Sequence, residues 1–147
     1  MTHDKTKSTR IINFIERVCT HVKGDLAGQP FLLEEWQKEF IHDLFGTMNA
    51  SGLRQYRTSY VQIPRKNGKS NLSAAIALAV LFVEKEQGAE IYCCASSRDH
   101  AKIVFEVCKQ MVRNSAILTK NCKTFQNSIL LNGTNSFLKA RAAAGWL

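Results

Sequence analysis

Apolar positions in this chain recur at two different periods. Between residues 10 and 23, Ile11, Ile12, Ile15, Val18, Cys19 and Val22 fall on one stripe of a 3.6-residue repeat, which predicts an amphipathic helix closing near Gly24. After the break at Gly28-Gln29-Pro30, a second stripe of Leu33, Trp36, Gln37, Phe40, Ile41 and Leu44 predicts another helix, with Gly46 as its stop. Residues 47–56 carry no period and read as loop. Over residues 58–63 the composition shifts to β-branched and aromatic side chains, which predicts a strand.

Beyond Gly68 a helix is expected over residues 69–85, and its Ala74, Ala75, Ala77 and Ala79 are small enough to pack closely on a sheet. Gly88 ends it. The nearly continuous apolar run EIYCCA at Glu90–Ala95 is the pattern of a buried parallel strand. A third long helix is predicted over residues 99–113, started near Ser96 or Ser97, with Ala101, Val104, Phe105, Cys108 and Met111 facing inward. Residues 122–138 read as short strands joined by turns at Gln126-Asn127 and Asn132-Gly133, the second being the stronger hairpin signal. The final RAAAGWL fits neither period. Strand, helix, strand, helix is one βαβ unit extended by a helix, so an α/β domain is expected.

The length of 147 residues allows one domain and is short for two. A composition of 45% hydrophobic and 22% charged residues is that of a globular chain and excludes a disordered tail. Lysine and arginine number 20 against 12 acidic residues, a net charge of +8 that favours a polyanionic partner without specifying a sequence. The five cysteines, Cys19, Cys93, Cys94, Cys108 and Cys122, have no zinc-knuckle spacing, and free thiols in a reducing compartment are expected. The polar start MTHDKTKSTR is not followed by a signal-peptide core, and the apolar run 72–83 is shorter than the roughly 18 residues of a membrane span. A soluble protein is the expectation.

One segment carries recognisable chemistry. In IPRKNGKS, Gly68, Lys69 and Ser70 follow an expected strand and open an expected helix, the setting in which backbone N–H groups cradle phosphates. In such a loop the lysine reaches the β and γ phosphates and the serine hydroxyl holds magnesium. Ile63 stands where the usual pattern has its first glycine, so an ordinary basic turn remains the alternative. Arg65 and Lys66 would add positive charge near the γ-phosphate, and a solvated turn is their alternative reading.

The strand YVQIP with RKNGKS, the upstream LLEEWQKEFIHDLFG and the downstream EIYCCASSRDHAKIVFEVCKQM together resemble the amino-terminal part of the large terminase subunit of tailed bacteriophages. The resemblance spans residues 10–140 in the right order. It implies an α/β fold, a P-loop NTPase-like parallel sheet with flanking helices and additional amino-terminal helices. It also implies the ATP-driven motor that packages double-stranded DNA into procapsids, with ATP and Mg2+ as cofactors. Carried onto this chain, Lys69 would hold the β and γ phosphates, Ser70 the magnesium, and Arg65 would act on the γ-phosphate. Lys66, Asn67 and Gly68 complete the loop, and Gln37, after Trp36, matches a glutamine that contacts adenine. Trp36 itself is the residue type that more often belongs to a core. His100 stands where the family usually has glutamine and receives no catalytic role.

The family's implied partners are double-stranded DNA, the small terminase subunit, the portal and further copies in a ring, in the cytoplasm of a bacterial host and without a membrane. The expected organisation is an amino-terminal helical region over 1–57, a partial ATPase core over 58–140 and an atypical tail over 141–147. The family's Walker B Asp-Glu pair has no counterpart, because Glu106 is the only carboxylate side chain after Asp99, and the nuclease region is also unmatched. A fragment with an incomplete sheet is therefore expected, with little turnover of its own. Two other readings stay open: a basic DNA-binding module without a catalytic cycle, and a part of another P-loop NTPase.

Overall fold

Asp4 starts the first helix, its Oδ1 accepting the backbone N–H groups of Thr6 and Lys7 at 3.0 and 3.2 Å. The computed structural model describes residues 2–143. Helix α1 spans Lys5–Val18 and α2 spans Glu35–Gly46. The first helix begins before the apolar stripe does and stops before Gly24, because the chain turns extended at Cys19 (φ −86°, ψ 151°). Two short strands, β1 at Thr2–His3 and β2 at Thr47–Met48, pair antiparallel and tie the start of α1 to the end of α2. Lys38 bridges Glu16 and Glu35 at 3.4 and 3.5 Å, adding a polar link between the two helices.

Helix α3 spans Lys69–Val83, β3 Glu90–Ala95 and α4 Arg98–Arg113. The Ser97 hydroxyl caps α4 by accepting the His100 N–H at 3.3 Å. Helix α5 (Ala116–Asn121), which no apolar stripe announces, leads into β4 (Cys122–Thr124), β5 (Ser128–Leu131) and β6 (Phe137–Ala142). The sheet order is β3-β6-β5-β4. Among the described residues only β3 and β6 run parallel, Glu90 facing Phe137 and Ala95 facing Ala142. The other two pairs are antiparallel, since the short connections after Thr124 and Leu131 allow only hairpins. The result is an α/β fold with a mixed sheet and flanking helices. Asn132-Gly133 falls in the second connection, with Gly133 at φ +73°.

One expected element is corrected. Residues 58–63 form no strand: they join no ladder among the described residues, and Tyr60 is 86% exposed. Alternation of side chains sets which face a segment can bury, whereas a strand also needs a neighbouring backbone to pair with. The face survives: Ser59, Val61 and Ile63 line a groove of about 420 Å³ together with Leu72, Ile76 and Ile91.

The core is continuous from α1 to the sheet, with Ile11, Ile15, Ile41, Leu78, Phe105, Met111, Ile129 and Leu138 sealed from solvent. Helix α3 is apolar nearly all round and is buried accordingly. Its Ala74, Ala75 and Ala79 serve close helix packing against α1 and α4 more than packing on the sheet, and the Cys108 thiol donates to the Ala74 carbonyl at 3.7 Å. Of the last seven residues, Arg141 and Ala142 extend β6, and residues 144–147 lie outside the described part.

All five cysteines are free thiols: Cys19, Cys108 and Cys122 are buried, Cys93 is half-buried and Cys94 exposed. Burial pushes the Cys19 thiol up to about 12. Thiol titration of the native protein at pH 8 is therefore expected to modify Cys94 first, with Cys19 and Cys108 reacting only after denaturant is added. Immediate reaction of either would contradict this packing.

Candidate nucleotide-binding site

The loop ahead of α3 is shaped by two left-handed residues, Lys66 at φ 65° and Gly68 at φ 74°. Gly68 is the N-cap of a 15-residue helix and has no side chain with which to cap it. The first-turn N–H groups at Lys69, Ser70 and Asn71 thus point out of the helix end, and the first helical bond is Leu72 N–H to Gly68 O at 2.9 Å. The helix dipole adds positive potential at the same place.

Side chains hold the turn in shape. The Asn67 amide donates to the carbonyls of Pro64 and Arg65 at 3.3 and 3.4 Å. Lys69 folds back across the loop, its Nζ donating to the Ile63 carbonyl at 2.7 Å. A Cβ built on Gly68 meets nothing within 4 Å, so the space above the loop is open. Uncapped amides, alternating left-handed turns and the cations Arg65, Lys66 and Lys69 fit a polyphosphate group.

Lys66, Asn67 and Gly68 share a cavity of about 520 Å³ with Gln37, Trp36, Phe31 and His21. That volume suits a small organic ligand. Gln37 is buried, with its Oε1 accepting the Glu34 N–H at 2.8 Å in the capping box of α2. Trp36 packs on the core and also faces this cavity, its Nε1–H donating to the Glu34 carboxylate. Lys69 instead lines the apolar groove on the other side of the loop. Arg65 is exposed on the turn, and Ser70 is half-buried in the first turn of α3. His100 is exposed at the start of α4 and lines a separate cavity with Cys93 and Cys94.

Two residues of the cavity, His21 and Phe31, were not indicated by the chain's periodicity. They come from the loop between α1 and α2, and only the closing of that loop brings them to the N-terminal end of α3. Among the described residues no cluster of three or more His, Cys, Asp and Glu side chains could hold a metal ion. A magnesium ion would come with phosphate oxygens, which suits its preference for few protein ligands.

The family model described as the ATPase domain of the terminase large subunit matches residues 35–140, which include α2, the loop and both long helices behind it. The chain belongs to the terminase large subunit family. The large terminase subunit of Enterobacteria phage HK97 is 41% identical over 108 residues, covering 73% of this chain and 20% of that protein. The crystal structure of the HK97 large terminase superposes with a TM-score of 0.76 at 31% identity, covering 97% of this chain and 28% of that one. This chain thus spans less than a third of the length of these terminase relatives. No described helix is long and apolar enough to cross a membrane.

Proposed function

We propose that the loop at residues 63–70 is a Walker A phosphate-binding loop and that the chain binds ATP with Mg2+ as the nucleotide-binding part of a DNA-packaging motor. The observation that carries this reading is the uncapped, glycine-turned start of α3 opening onto a cavity that reaches Gln37 and Trp36. Lys69 would exchange its contact with the Ile63 carbonyl for the β and γ phosphates, a charge-assisted bond in place of a neutral acceptor. Ser70 would supply a hydroxyl to the metal, which neutralises phosphate charge when bound. Arg65, free to swing from an exposed turn, would stabilise charge at the γ-phosphate, and Gln37 would contact adenine through its amide NH2, since its Oε1 is engaged at Glu34.

Work on double-stranded DNA, a ring of copies, the small subunit and the portal belong to the same proposal, as does action in the bacterial cytoplasm. The net charge of +8 supports contact with a polyanion. Calorimetric titration with a non-hydrolysable ATP analogue and magnesium should give saturable binding near one equivalent. A folded protein that takes up no nucleotide at millimolar ligand would overturn the reading.

A further inference from the structure

The cavity that begins at Lys66, Asn67 and Gly68 ends at the loop between α1 and α2, and this loop is tightly closed. The His21 N–H donates to the Gln29 carbonyl at 2.9 Å and its carbonyl accepts the Gly28 N–H at 2.8 Å, so both backbone groups of His21 are fixed. Phe31 N–H donates to the Cys19 carbonyl at 3.0 Å, which closes the same loop one pair further out. The buried Phe31 ring then meets the imidazole edge to face, with centroids 5.0 Å apart and planes at 75°.

The imidazole is also held from α3. Asn71, directly after Ser70, places its Nδ2 3.4 Å from His21 Nδ1. With the carboxamide NH2 as donor, Nδ1 accepts, and this pairing selects the neutral tautomer that carries its proton on Nε2. A half-exposed histidine, fixed in backbone and ring plane, therefore lines the cavity with a second ring nitrogen not used by Asn71. At the same cavity Leu32 is 67% exposed, an apolar surface of the kind a flat ring covers.

We propose that His21 is a nucleoside-recognition residue: its Nε2–H donates to an acceptor nitrogen of the bound base, and Asn71 is the positioning residue that sets this tautomer. The proposal rests on the nucleotide-site reading above. It adds a recognition contact made by the loop before α2 and coupled through Asn71 to the turn that carries Ser70. An order of one hydrogen bond is involved.

Binding of magnesium tripolyphosphate and of a magnesium–ATP analogue, measured side by side by calorimetry, separates the two readings. For wild type the analogue should bind more tightly than tripolyphosphate. His21→Ala should weaken the analogue about fivefold to tenfold, the order of one hydrogen bond, and leave tripolyphosphate unchanged. Asn71→Ala should reproduce part of that selective loss. His21→Gln, which keeps a donor, should recover part of it and serves as the test if His21→Ala does not fold. Equal weakening of both ligands would assign His21 to the shape of the phosphate loop and overturn the proposal, as would no change in either. Wild type that binds tripolyphosphate as tightly as the analogue would also overturn it while leaving the phosphate site standing. Folded wild type that binds neither would remove the nucleotide-site reading itself.

Discussion

Phe105→Ala is expected to lower the unfolding free energy by about 3–5 kcal/mol, the range for removing a large aromatic from a sealed core. Phe105 is 0% exposed and sits on the face of α4 that meets the rest of the core. Lys109 lies over its ring, 5.6 Å from the centroid, and also reaches the Glu106 carboxylate at 3.1 Å and the Gln126 carbonyl at 3.5 Å. Truncation therefore removes both packing and the surface over which a nearly buried ammonium is held. Domains of this size have only about 5–15 kcal/mol in hand, so much of the folded population would be at risk. Phe125→Ala is the control, because Phe125 is 52% exposed and should cost less than about 1 kcal/mol. Urea unfolding followed by circular dichroism compares them, and equal midpoints for the two variants would contradict the placement of α4.

Helix α4 was legible from its uninterrupted amphipathic period, whereas α3 and β3 were legible as apolar runs bounded by Gly68, Gly88 and Ser96-Ser97. Strand β3 pairs parallel as expected, but it lies at the sheet edge and, against the expectation of a buried strand, none of its residues is fully buried. Expected bounds of 69–85 and 99–113 meet observed helices at Lys69–Val83 and Arg98–Arg113. Hairpin signals at Gln126-Asn127 and Asn132-Gly133 likewise fell between observed strands. The failure at residues 58–63 has a different origin, since a strand is a property of two backbones and periodicity describes one. The first turn of α1 was missed because it is polar, although Asp4 was a readable cap. Short β1, β2 and α5 offer too few residues for a period to show.

For the site, the resemblance placed Gln37 and the loop in one motif series, and the structure gives Gln37, Lys66, Asn67 and Gly68 a common cavity. It could not indicate His21, which is 50 residues from Asn71 and reaches it only through the closed loop. Contacts made by loop closure leave no spacing in the chain. Residues that act through a helix end do, because their backbone positions are fixed by the helix itself.

Lys69→Ala is expected to weaken magnesium–ATP analogue binding roughly 100-fold while changing stability by no more than about 0.5 kcal/mol. The asymmetry follows from what the side chain touches. Its hydrogen bond is to the Ile63 carbonyl, at an exposed site where water can replace the ammonium at little cost. Against two phosphates it would form charge-assisted bonds worth about 1.5–3 kcal/mol each, part of which the loop amides would keep. Lys69→Arg should fail nearly as badly, since a planar guanidinium does not reproduce a compact ammonium folded inside a tight turn. Lys66→Ala should lose less, because Lys66 is exposed and its ammonium is held by no partner among the described residues, though its left-handed backbone is relieved of no strain by alanine. Calorimetry on variants with matched thermal midpoints reads the difference. Undiminished binding by folded Lys69→Ala would move the phosphate site away from the start of α3, whatever the family relationship of the chain.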